Sequence, residues 1–263
     1  MKITVNGITI NYRIDGPAAA PWITMSNSLA TTYRMWDAQI EACTSHYRVL
    51  RYDKRGHGET DVPDGPYSFE LLADDVLALL EALNITRTHF VGLSMGGMTG
   101  MTLAFKQPSV LRALVLCDTA SADPLGDPAL WQERIDVISA SGSMEPLVER
   151  TIERFLAPAT VQSRPETVAA VRDMVRRTPV QGYIACCQAL ARLRLTERLP
   201  NIHIPTLVVV GEQDVATPVA LARGIHQRIP GAELVILKDA GHLSNIDQPE
   251  AFNKAILEFL ARH

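Results

Sequence analysis

Hydrophobic positions along this chain follow two rhythms. Short aliphatic runs read as buried strands, and longer stretches with apolar residues every three or four positions read as amphipathic helices. Lys2–Val5 and Ile8–Ile14 flank Asn6-Gly7 and predict a β-hairpin. Trp22–Ser26, Tyr47–Tyr52, Thr88–Val91, Ala113–Cys117, Thr206–Val210 and Glu233–Leu237 read as further strands. Helices are predicted over Met35–Cys43, from a Ser68 cap to Leu83, over Met98–Phe105, Val219–Arg228 and Pro249–Leu260. In the Ser68–Leu83 segment, Leu71, Leu72, Val76, Leu79, Leu80 and Leu83 share one face. From Ser121 to Pro200 the pattern is helical only: around Ile135, then Leu147–Phe155, Val168–Val175 and Tyr183–Leu190.

Strand–helix alternation predicts an α/β fold, with a mostly parallel eight-stranded sheet and helices on both faces. Residues 1–120 and 201–263 would form the core domain. Residues 121–200 would be a helical lid over the carboxyl ends of the strands, where such sheets keep their sites.

Composition narrows the function. The chain has 263 residues, 47% of them hydrophobic, enough for a large core. Its formal net charge is −4 and its pI about 6.0, so nothing draws it to nucleic acid or an anionic membrane. No apolar run approaches the roughly 18 residues of a membrane span. The first twelve residues alternate as a strand does and carry no signal core, so a cytoplasmic location is expected. The four cysteines show no Cys-x-x-Cys spacing and read as reduced core thiols.

The candidate chemistry lies at Gly92-Leu93-Ser94-Met95-Gly96, between a buried strand and a helix. This is the pattern of a nucleophile elbow, a turn so tight that side chains beside the serine would strike the backbone. A serine hydroxyl needs a base oriented by an acid, in the chain order serine, acid, histidine. Of the seven histidines, His46, His57 and His89 precede Ser94, His203 begins the approach to a strand, His226 lies within a helix and His263 ends the chain. His242 follows the last strand directly and is the expected base. Asp214, after the next-to-last strand, is the favoured acid, and Asp118, ending the strand after the elbow helix, is the alternative. The oxyanion would be held by two backbone donors, Met95 N–H after the nucleophile and Leu29 N–H in the loop after the third strand.

These features resemble those of the α/β-hydrolase superfamily and, more narrowly, of the 3-oxoadipate enol-lactonases. The likeness runs through Tyr12–Gly16, Ser26-Asn27-Ser28-Leu29, Met35-Trp36-Asp37, Val49–Asp53, Arg55-Gly56-His57-Gly58, Gly65-Pro66-Tyr67-Ser68, Gly92–Gly97, Gly182-Tyr183 and His242–Ile246. Asn27-Ser28 stands where many relatives have His-Gly, which adds the Ser28 hydroxyl as a candidate substrate contact. Asp118 stands where the family usually has Asn, and Arg154-Phe155-Leu156 where it has Arg-Trp-Phe. Ala191–Leu195 lacks the family's acidic residue.

The resemblance implies a small lactone bearing a free carboxylate, opened by Ser94 with no metal or organic cofactor. The alternatives are a carboxylesterase of small neutral esters and a carbon–carbon bond hydrolase. The segment 121–200 holds ten Arg and no Lys against ten Asp or Glu. Planar guanidinium suits a carboxylate. By the family's lid motif Arg154 is the expected clamp, with Arg134 and Arg192 next, and Trp131 is expected to line the pocket. The resemblance implies no partner beyond the substrate, and the sequence leaves the oligomeric state open.

Overall fold

The computed structural model describes residues 1–263. Eight strands form one sheet: β1 (Lys2–Val5), β2 (Ile8–Asp15), β3 (Trp22–Ser26), β4 (Arg48–Tyr52), β5 (Thr88–Leu93), β6 (Leu111–Cys117), β7 (Thr206–Gly211) and β8 (Glu233–Leu237). Their order is β1-β2-β4-β3-β5-β6-β7-β8. The hairpin β1–β2 joins β4 antiparallel, and every pair from β4 to β8 is parallel. Central strands β5 and β7 are buried at every residue, which explains their unbroken apolar runs.

The helices are α1 (Ile40–Thr44), α2 (Phe69–Ala82), α3 (Met95–Lys106), α4 (Pro128–Ser141), α5 (Glu145–Phe155), α6 (Pro158–Ser163), α7 (Pro165–Arg176), α8 (Val180–Ala191), α9 (Val219–Arg228), α10 (Ser244–Asp247) and α11 (Pro249–Leu260). Ser68 Oγ accepts from Leu71 N–H at 3.1 Å and caps α2 as expected. The segment expected to be helical from Met35 begins instead as a 3₁₀ turn, Tyr33–Gln39, started by the Thr32 side chain. Helices α6 and α10 escaped the periodicity because six and four residues are too few to show a stripe.

Helices α4 to α8 leave the sheet after β6 and return before β7, and their ends are tied together. Leu195 N–H donates to Ser121 O at 2.7 Å, Ser121 and Thr196 hydroxyls bond at 2.9 Å, and Ala122 and Arg194 form a bridge. This helical block rests on the loops that follow β7 and β8. Leu243 N–H donates to Phe155 O (2.8 Å), and Asp247 Oδ2 accepts from both Ala157 N–H (2.9 Å) and Gly241 N–H (2.7 Å). The four cysteines are free and buried, and no helix is long and apolar enough to cross a membrane.

In the loop after β4, Arg55 makes a two-pronged ion pair with Asp75 of α2, at 2.8 and 2.7 Å, with both side chains almost wholly buried. Removing one member leaves a buried charge alone. Asp75→Ala should lower the unfolding free energy by about 3–5 kcal/mol, read from urea denaturation. A loss below about 1 kcal/mol would mean that water replaces the carboxylate at no penalty.

Candidate active site

Ser94 sits between β5 and α3 at φ 56°, ψ −115°, a backbone conformation that side chains disfavour. The surroundings hold it there. Ser94 N–H donates to Cys117 O at 2.9 Å, while Ser94 O accepts from Met98 N–H at 3.0 Å and from Thr119 Oγ1 at 2.7 Å. The flanking glycines are sterically required. A Cβ on Gly96 would run into the Ser26 carbonyl, and one on Gly92 into the backbone of Gly96. The elbow is thereby pressed against the carboxyl end of β3. Met95 supplies the first N–H of α3, which has no acceptor within the helix.

Asp214 and His242 are brought together as expected. His242 Nδ1 and Asp214 Oδ2 lie 2.9 Å apart, both residues buried. Asp214 Oδ1 accepts from Ala216 N–H (2.7 Å) and Thr217 N–H (2.9 Å), and Thr217 Oγ1 donates to Asp214 Oδ2 (2.7 Å). Burial pushes the Asp214 carboxyl up. The bonds from His242 and Thr217 outweigh it and hold the group below the usual carboxylate range. Ionised Asp214 in turn requires the Nδ1–H tautomer of His242, which frees Nε2 to accept a proton. The Phe155 ring packs 5.1 Å from the imidazole, centroid to centroid. The Ser94 hydroxyl makes no hydrogen bond to His242, so the acid–base link is closed and the serine–base link is open. Such links tighten when substrate binds.

Asp118, the alternative acid, does not bond His242. It is fully buried, with Oδ1 accepting from Gly211 N–H (2.8 Å) and Oδ2 from Ser244 Oγ (2.5 Å). Burial, and then the charge of Asp214, push its carboxyl well above the normal range. It therefore ties the loop that carries Asp214 to the loop that carries His242.

Leu29 N–H makes no hydrogen bond within the protein, whereas its neighbours are engaged. Ser28 N–H points to Met35 Sδ (3.3 Å), Ala30 N–H donates to His57 Nε2 (3.0 Å), and Ala30 sits at φ 57°. The Ser28 hydroxyl is buried without a partner.

In the helical block, Arg154 and Arg134 are half-buried and neither has a carboxylate partner. Arg154 donates to Ala216 O at 3.3 Å, and Arg134 approaches the Tyr183 hydroxyl at 3.5 Å. Burial, followed by the nearby Arg134 charge, pulls the Arg154 guanidinium below its ordinary range. Trp131 is buried, donates from Nε1 to Asp123 at 2.8 Å, and lies under the Arg134 guanidinium at 5.7 Å. Arg192 is elsewhere, in an outer depression of about 250 Å³ shared with Arg194, Arg198 and Tyr67.

Two supporting residues escaped the sequence reading. Thr217 belongs to an Asx-type turn, and Asp214-x-x-Thr217 is its legible signal. Lys54, in the loop after β4, carries no sequence signal of its burial.

A model of the alpha/beta hydrolase fold matches residues 21–249. The chain is 35% identical to 3-oxoadipate enol-lactonase 2 of Acinetobacter baylyi, over 99% of its own length and 96% of that protein. It is 34% identical to a putative carbamate hydrolase, RutD, of Agrobacterium fabrum, over 92% of this chain and 94% of that one. Among solved structures, the enol-lactonase of Burkholderia xenovorans superposes with a TM-score of 0.96 at 40% identity, covering 99% of this chain and 100% of that one.

The two carboxyls can be ranked by experiment. Asp214→Asn should lower kcat by about 10³–10⁴-fold through the wrong imidazole tautomer. Asp118→Asn keeps an acceptor for Gly211 and gains a donor for Ser244, so kcat should stay within about tenfold of wild type. The reverse ranking would move the acid to the end of β6.

Proposed function

Starting from this chain's membership of the alpha/beta hydrolase family, whose relatives make it an ester or lactone hydrolase, we propose that it opens a small carboxylate-bearing lactone of the 3-oxoadipate enol-lactone type. In this reading Ser94 Oγ, giving its proton to His242 Nε2, attacks the lactone carbonyl. Leu29 and Met95 N–H hold the oxyanion, and the ring oxygen leaves as an enol that takes the proton back from His242. Water, deprotonated by the same imidazole, then releases the acid from Ser94. Asp214 stabilises the imidazolium at both steps. The leaving enol tautomerises to a ketone, which makes ring opening hard to reverse. Residues 121–200 act as the lid.

One observation supports the carboxylate-bearing substrate above all. Arg154 and Arg134 are both half-buried in the helical block and neither has a carboxylate partner, and the charge of Arg134 helps to pull the Arg154 guanidinium below its ordinary range. Two half-buried guanidinium groups left facing each other are unfavourable unless an anion joins them. Arg154 also donates to Ala216 O, in the loop that carries Asp214, which supports a place for it beside the proposed acid. Trp131 backs Arg134, and the Ser28 hydroxyl is a further candidate contact.

Ser94→Ala should fold normally and lose nearly all hydrolysis, and His242→Ala added to it should change little, because the two act as a unit. For substrate class, kcat/KM is compared on an enol-lactone carrying a carboxylate, a neutral aryl ester of similar size and a carbamate. The charged lactone should be preferred, and Arg154→Met should reduce its kcat/KM by at least about tenfold while sparing the neutral ester. Equal losses on both would move the clamp to Arg134. Wild-type preference for the neutral ester would favour the carboxylesterase reading, and preference for the carbamate would align this chain with the other set of relatives.

A further inference from the structure

Of the five lysines only Lys54 is buried, and its ammonium has no carboxylate partner. Neighbouring Asp53 is turned away, accepting from Tyr33 N–H, Asn11 Nδ2 and Glu59 N–H. Arg55 is occupied by Asp75. Lys54 Nζ instead donates to a single acceptor, the Ser28 carbonyl, at 2.5 Å. A buried cation with one neutral acceptor is unfavourable for stability alone and calls for a functional reason.

The acceptor supplies that reason. Ser28 C=O and Leu29 N–H are the two ends of one trans peptide, pointing in opposite directions. Ser28 O also accepts from Thr31 Oγ1 at 2.9 Å, so two donors grip one end of the peptide while the other end stays free. The next peptide is fixed as well, by Ala30 N–H on His57 Nε2. Hydrogen bonds to a carbonyl draw electron density from the peptide nitrogen and strengthen its N–H as a donor, most of all when the group is charged.

We propose that Lys54 is the positioning residue of the oxyanion site: its ammonium, bonded to the Ser28 carbonyl, aims and polarises the Ser28–Leu29 peptide so that Leu29 N–H binds the developing oxyanion. This rests on the assignment of Leu29 as an oxyanion donor made above. Lys54 acts through the peptide and does not itself touch substrate.

The charge state of Lys54 gives the proposal a signature. Burial pulls the ammonium down to about 7, against smaller support from the Cys186 thiol on α8 and from Asp53. Burial, and then Lys54 itself, keep His57 well below the usual histidine range, so it stays a neutral acceptor for Ala30. Arg55 is the other charged group near Lys54 and Cys186. The ammonium is therefore present below about pH 7 and lost above it, leaving a neutral amine that still bonds Ser28 O but polarises it less. Loss of rate on the alkaline side belongs to Lys54.

The test measures kcat and KM against pH for wild type, Lys54→Met and Thr31→Val, with p-nitrophenyl acetate so that the substrate does not titrate. Removing a whole oxyanion donor is worth about 10²–10³ in kcat, and misaiming one should be worth about 10–100-fold. Lys54→Met should show that loss with KM within about twofold of wild type, native circular dichroism and no alkaline fall near neutrality. Thr31→Val should show a smaller loss and keep the alkaline fall. Unchanged kcat in Lys54→Met, a rise in KM alone, or an alkaline fall that survives the substitution would overturn the proposal. If Lys54→Met does not fold, a wild-type kcat that stays flat above neutrality overturns it equally. Ser94→Ala is run beside these. An active Ser94→Ala sinks the hydrolase site as a whole, whereas an inactive one beside a fully active Lys54→Met sinks only the role of Lys54.

Discussion

The contact on which the site depends is the backbone of Gly96 against the carbonyl of Ser26, closer than any side chain would allow. It presses the first turn of α3 onto the end of β3, so the strained serine and the loop Asn27–Thr31 are held by one backbone junction. The strain at Ser94 persists because Cys117 and Thr119, at the end of β6, hold its N–H and its carbonyl. The same turn places the dipole of α3 where negative charge would form.

From that junction the remaining parts are set by loops that brace one another. The loop after β4 supports the loop after β3 at three points: Lys54 on Ser28 O, His57 on Ala30 N–H and Asp53 on Tyr33 N–H. The loops after β7 and β8 are joined at Asp214–His242, and again beneath by Asp118 between Gly211 and Ser244. The two carboxyls in this buried region are held in opposite ways. Donors surround Asp214, while burial and its neighbour's charge keep Asp118 in the upper range. The helical block then bears on the His242 loop through Phe155, Ala157 and Asp247.

Much of this was legible in the sequence, for reasons that can be named. The strands β3 to β8 announced themselves as short apolar runs, as parallel strands do, and the hairpin β1–β2 through its Asn6-Gly7 turn. The elbow did so because only glycine fits beside that serine. Asp214 and His242 followed from their places just after β7 and β8. What stayed hidden depends on contacts across the chain. Nothing in Asp53-Lys54-Arg55 shows that the lysine is buried beneath another loop while the arginine beside it pairs with α2. Asp118 looked like a competing acid because sequence gives its strand but not the direction of its oxygens. Arg192 stood in line as a clamp behind Arg154, and the fold puts it in an outer depression.

The central claim is that hydrolysis runs through a covalent ester on Ser94. It is tested most directly by mixing the wild-type enzyme with an activated ester, quenching in acid at short times and mapping the peptides by mass spectrometry. The account predicts one acyl group per chain, on the peptide carrying Ser94, rising in a burst before steady turnover. Sustained hydrolysis with no adduct, or with an adduct on another residue, would contradict it.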